Sequence, residues 1–155
     1  MPYILDTNVI SEIMKPYPNF ETICWLQDHE GEYYLTTVTL MELNYGVMRL
    51  PDGKRKQNLR RTLDMISREE SGRMYSFDGF SAYYCADFRR IAAEIGRTPQ
   101  LSDCMIAAIC KRNDATLVTR NVKDFEYFDI DVVNPFEYES PTLAELRRRE
   151  AGSAS

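Results

Sequence analysis

The segment Tyr3-Ile4-Leu5-Asp6-Thr7-Asn8-Val9-Ile10-Ser11-Glu12 constrains this chain more than any other. Three apolar residues, an acid, then Thr, Asn and a second apolar pair spell a short buried strand that runs straight into a helix. Asp6 stands at the junction. In open α/β sheets the crevice beyond the carboxyl ends of the strands is where chemistry collects, so an acid there is a candidate site residue. Taken alone it reads equally well as a helix cap. Glu42, Asp103 and Asp124 give it company, because each sits beside a predicted strand or helix end in a well-separated part of the chain.

The alternation set up by this segment continues. Pro16 and Pro18 break the chain, and Asn19 caps a second helix carrying Ile23, Trp25 and Leu26. Tyr33-Tyr34-Leu35-Thr36 is a β-rich second strand. Thr37 or Thr39 caps the next helix, which places Glu42 in its first turn. Pro51-Asp52-Gly53 is a turn before a basic helix with Leu59, Leu63 and Ile66 at core spacing. Gly72 to Phe77 reads as a third strand, and Asp78 opens a long helix that Gly96 stops. A nearly all-apolar helix begins near Asp103, Ala115 to Thr119 is the clearest strand after the first, and Val132-Val133 forms a last edge strand.

Strands alternating with helices imply right-handed crossovers and therefore an α/β fold of three layers, a mostly parallel central sheet of four to five strands flanked by helices. At 155 residues the chain makes one such domain, able to bury roughly 68 to 70% of its unfolded surface. The domain is expected over 1–136, followed by a helical extension at 137–150 and a small-residue, flexible tail at 151–155. No apolar run reaches membrane-spanning length, and the amino terminus lacks the basic and apolar regions of a signal peptide, which predicts a cytoplasmic protein away from membranes. Cys24, Cys85, Cys104 and Cys110 form no CxxC pair and read as reduced core thiols. His29, the single histidine, is expected to face solvent.

The formal charge of −5 argues at first against a nucleic-acid partner. Setting aside four carboxylates as candidate metal ligands leaves −1, and basic residues cluster at Lys54-Arg55-Lys56, Arg60-Arg61, Arg89-Arg90 and Arg147-Arg148-Arg149. Each cluster taken singly reads first as a solvated helix face. The parallel architecture lets Asp6, Glu42, Asp103 and Asp124 meet above one sheet edge. Two unit charges about 4 Å apart repel by roughly 4 kcal/mol at an effective dielectric of 20, so gathered acids need a neutralising partner. An all-oxygen cluster suits Mg²⁺ or Mn²⁺, ions that keep several waters and bridge to phosphate.

The ordered set Leu5-Asp6-Thr7-Asn8-Val9-Ile10, Met41-Glu42-Leu43, Ser102-Asp103 running into Ile106-Ala107-Ala108, and Val118-Thr119-Arg120-Asn121 with Asp124-Phe125 resembles the PIN domain. More narrowly it resembles the bacterial VapC-type toxin branch, with further matches at Trp25-Leu26, Gly53-Lys54, Gly72-Arg73 and Asn134-Pro135-Phe136. The resemblance covers Met1 to about Phe136. It implies a Mg²⁺- or Mn²⁺-dependent endoribonuclease acting as the toxin of a toxin-antitoxin pair, held inactive by a cognate VapB-like antitoxin and dimeric. Carried over, Asp6, Asp103 and Glu42 match the family's metal ligands, while the fourth acid falls either at Asn121 or at Asp124. Asn8 and Thr119 match supporting groups that hold the loops. Lys54, Arg55, Arg73 and Arg89 are candidates for contacts to the RNA backbone. Trp25, Tyr45 and Met48 are candidates for an antitoxin groove, with Trp25 the one better read as core.

Other chemistries lack their residues. One histidine without CxxC or HExxH spacing leaves zinc no ligand set, and there is no Gly-rich phosphate loop. A haloacid-dehalogenase phosphatase wants a second Asp where Asn8 stands, and a receiver domain wants a Lys where Thr119-Arg120 stands. The rival that survives is a catalytically idle PIN fold used as a protein or nucleic-acid binding module. Intact acids at 6, 42 and 103 favour the enzyme.

Overall fold

The computed structural model describes residues 1–154. Five strands, β1 (Tyr3–Leu5), β2 (Tyr33–Thr36), β3 (Met74–Tyr75), β4 (Thr116–Val118) and β5 (Val132–Val133), form one sheet in the order β3-β2-β1-β4-β5. Every pairing is parallel, with β1 at the centre between β2 and β4. The helices are α1 (Thr7–Ile13), α2 (Phe20–Asp28), α3 (Thr37–Met48), α4 (Lys54–Glu69), α5 (Gly79–Glu94), α6 (Leu101–Arg112), α7 (Val122–Phe125) and α8 (Pro141–Ser153).

Side chains alternate across a strand, and here the alternation sorts the core into two halves. Ile4 and Leu117 point to one face, among α6 residues Ile106, Ala107, Ala108 and Ile109 and α5 residue Phe88. Leu5, Leu35 and Val118 point to the other, among Val9, Ile10, Leu43, Val47 and Leu63. The paired alanines of α6 let that helix lie close against the sheet. Cutting fully buried Ile106 back to alanine in such a layer costs about 2–5 kcal/mol. All four cysteines are free and buried, as their apolar surroundings predict.

Several local expectations shift. The hydroxyl that caps α3 belongs to Thr36, whose Oγ1 accepts from Thr39 N at 3.0 Å, so β2 passes into α3 with no loop between them. Glu42 consequently lies in the second turn of α3, not the first. Helix α6 starts at Leu101, two residues before Asp103. The third strand shrinks to Met74 and Tyr75 because Ser71–Arg73 wind into a turn of 3-10 helix. His29 is half-buried instead of fully solvent-facing: one turn beyond Trp25, it stacks on that indole at 4.1 Å, and its Nδ1 lies 2.7 Å from the Trp25 carbonyl. Trp25 is core, only 4% exposed.

Helix α8 continues to Ser153, so 151–153 of the expected tail are helical, while Ser155 lies outside the described residues. Its leading Ser140 donates to Asp28 at 2.9 Å instead of capping the helix. Among the described residues no helix is long and apolar enough to cross a membrane.

Candidate active site

Because all five strands run the same way, their carboxyl ends open on one edge, and the chain delivers its acids there. Asp6 follows β1 directly, locked to the neighbouring strand by its own N–H donating to Val118 O at 2.9 Å. Glu42 comes from α3, Asp103 from the first turn of α6, and Asn121 and Asp124 from the segment after β4. All of them, with Asn8, line one cavity of about 450 Å³.

One wall of the cavity is tightly wired. Asp6 is 4% exposed. Its Oδ1 accepts from Thr7 N at 2.8 Å, and its Oδ2 accepts from Thr119 Oγ1 at 2.7 Å and Asn8 Nδ2 at 3.1 Å. Asp6 therefore does cap α1, through Oδ1, and its Oδ2 is left to Thr119 and Asn8. Asn8 Nδ2 also donates to Thr119 Oγ1 at 3.0 Å, and Asn8 Oδ1 accepts from Arg120 N at 3.1 Å. Thr119 Oγ1 accepts again from Asn121 N at 3.1 Å. Thr7 Oγ1 donates to Glu42 Oε1 at 2.7 Å, which fixes the second acid from the first turn of α1.

Burial pushes the Asp6 carboxyl up in pKa, the three hydrogen bonds pull it back, and the charge of Glu42 pushes it up again. Asp103 has less help. Burial, followed by the charges of Asp6, Glu42 and Asp124, raises it from 3.8 to about 6. Among the described residues, none of the four acids has a Lys or Arg within ion-pair distance. Lys15 and Arg120 line the same cavity without pairing with any of these four acids, and the acids' all-oxygen donors fit a hard divalent cation. The acids line the space without closing on a point: among the described residues no three His, Cys, Asp or Glu side chains form a ready cage.

The cavity also contains residues that the sequence did not single out. Lys15 and Arg120 line it, as does Glu12, whose carboxylate pairs with Lys15 at 2.5 Å and sits below its ordinary pKa chiefly because of that pair. Polar residues at 8, 11 and 12 on α1, and Lys15 just past its end, were the available signal, spaced by three and four. The four basic candidates fare differently. Arg73 sits before β3, at the amino ends of the parallel strands, its guanidinium 6.0 Å from the Tyr34 ring, on the edge away from the acids. Lys54 and Arg55 are exposed in the first turn of α4 and do not line the cavity. Arg89 borders a shallow cleft with Arg97, Thr98 and Pro99. Tyr45 and Met48 are exposed on α3, without the buried Trp25 beside them at the surface.

A sequence model of the PIN domain matches residues 3–130. The chain belongs to the PIN domain family. Within that family this PIN domain is 37% identical over 135 residues to the toxin FitB of Neisseria gonorrhoeae, a match spanning 86% of this chain and 97% of FitB. It is 32% identical over 136 residues to the VapC ribonuclease Y4jK of Sinorhizobium fredii, spanning 86% and 97% of the two chains. A solved structure of FitAB bound to an IR36 DNA fragment superposes with a TM-score of 0.82 at 34% identity, covering 88% of this PIN domain and 97% of that chain. The sequence led to a mostly parallel sheet of four to five strands, and the sheet found has five strands, all parallel.

Proposed function

We propose that this PIN domain is the toxin of a toxin-antitoxin pair, a Mg²⁺- or Mn²⁺-dependent endoribonuclease. The observation that carries the reading is the cavity in which Asp6, Glu42, Asp103 and Asp124 converge, none of them ion-paired among the described residues. The names of its relatives support it, FitB being a toxin and Y4jK a VapC ribonuclease.

Asp6, Asp103 and Glu42 are the groups that would hold the ion, which once bound would polarise the phosphate and lower the pKa of a water. Thr119, Asn8 and the Thr7 amide hold Asp6 in one orientation. Asp103 would serve as a ligand in its carboxylate form, its proton lost to water above about 6. Glu42, fixed by Thr7, or Asp124 orients the attacking water. Water adds to phosphorus, the 3′ oxygen leaves with a proton, and the products carry 3′-hydroxyl and 5′-phosphate ends. A VapB-like antitoxin silences the site by covering exposed side chains such as Tyr45 and Met48 and sending a basic group among the acids.

The deciding experiment is cleavage of a labelled single-stranded RNA by the purified chain, with Mn²⁺ and with chelator, beside Asp103→Asn. Cleavage that needs the metal and vanishes in the variant is the expected result. Equal cleavage by the variant means a contaminating nuclease, and no cleavage by either chain overturns the enzymatic reading in favour of a binding module.

A further inference from the structure

Beside the acidic cavity lies a second one of about 260 Å³, and Gln100, Asp103 and Asp124 form the wall they share. Each cavity carries an arginine laid over an aromatic ring. On the far side of that wall the Arg97 guanidinium is 5.2 Å from the Tyr127 ring centroid. On the near side Arg120 is 4.9 Å from the ring of Phe136. Resting on the proposed ribonuclease activity, we propose that single-stranded RNA crosses the carboxylate centre between these two arginine-aromatic clamps, one nucleotide gripped on each side of the scissile phosphate.

Both clamps have rigid mounts and free heads. Gly96, at φ 72°, ends α5 with its N–H on Ala93 O at 3.1 Å and the Arg97 N–H on Ala92 O at 2.8 Å, the paired closure that a left-handed residue after a helix makes. Arg120 is anchored by its N–H on Asn8 Oδ1. Phe136 is held by its N–H on Asn134 Oδ1 at 3.0 Å, and Tyr127 leans on Phe128 at 4.5 Å. Beyond these mounts neither charge is closely paired, although Arg120 lies within electrostatic reach of Glu12. Arg97 makes one loose, half-exposed contact with Glu126 at 3.4 Å, and Arg120 has no ion-pair partner among the described residues.

A guanidinium backed by a ring offers its outer plane for stacking a base and its edge for a phosphate, the combination that selects unpaired RNA. A duplex keeps its bases inside and meets neither plane. The arrangement also reconciles an acidic protein with an anionic substrate. The positive groups sit in the cavities at either side of the metal-binding acids, and Arg89, in the cleft that continues past Arg97 and Thr98, extends the track on that side.

The test uses the Asp103→Asn chain, so that the strand is not consumed, and a fluorescein-labelled oligouridylate of about ten nucleotides, within the span such grooves hold. Adding Arg97→Ala or Arg120→Ala should each weaken binding about tenfold, and duplex RNA of the same length should bind at least about tenfold more weakly than the single strand. A strand carrying 5-iodouridine, irradiated in the complex, should leave adducts on Tyr127 and Phe136. Adducts confined elsewhere, or variants that bind as the parent does, overturn the path even if the wild-type chain cleaves RNA. Adducts at both rings, with no cleavage by the wild-type chain under Mn²⁺, leave the path standing and remove the ribonuclease reading. Equal binding of duplex and single strand overturns the clamps.

Discussion

The two walls of the acidic cavity are built on different terms. On one, Asp6 and Glu42 are hydrogen-bonded by Thr7, Asn8 and Thr119, so their positions are set before anything binds. On the other, Asp103 and Asp124 receive no hydrogen bond among the described residues, and Asp103 instead bears the repulsion of its neighbours. The wired wall fixes geometry. The bare wall stores unfavourable charge, and under the proposed function a bound cation would relieve it and stabilise the domain.

Substitutions on the two walls should therefore act in opposite senses. The largest contrast is Asp103→Asn, which should abolish cleavage while raising the metal-free stability near neutral pH by about 1–2 kcal/mol, a discounted share of the raised pKa. Urea denaturation in chelator reads the second effect, and a loss of stability would show that the bare wall is wired after all. On the other wall Thr119→Val should reduce cleavage about 10–100-fold and also lower stability by about 1–3 kcal/mol, because buried Asp6 loses its shortest donor.

The pH dependence sharpens the same distinction. Asp103 in the folded protein holds its proton up to about 6, against 3.8 unfolded, so the metal-free fold binds more protons than the unfolded chain between those values. Its contribution is complete below 3.8 and is lost as pH rises through about 6. Metal affinity should run the other way, climbing about tenfold per pH unit up to about 6 as the proton is displaced, measurable by calorimetry with Mn²⁺. A saturating ion at about a hundredfold its Kd should then add about 2.7 kcal/mol to the fold. The smallest expected effect is Arg73→Ala, which should leave cleavage within about twofold, because this arginine stands at the amino ends of the strands with Tyr34. A larger loss would place RNA on both edges of the sheet.

Much of this was readable along the chain. The run Tyr3 to Glu12 carries its own strand, junction and helix because apolar spacing and capping are local properties, and the order of the acids identified the family before any coordinate was needed. Asp6, Glu42 and Asp103 were legible for the same reason. What only the tertiary structure decided are facts about distance between strangers in sequence: that Thr7 reaches Glu42, that Thr119 meets Asp6 from the adjacent strand, that Arg73 falls on the far edge, and that Arg97 and Arg120 flank the centre. Local patterns state what each residue prefers, but only parallel pairing of β1 with β2 and β4 brings residues more than a hundred positions apart to one edge. There their charges and hydrogen bonds first act on one another.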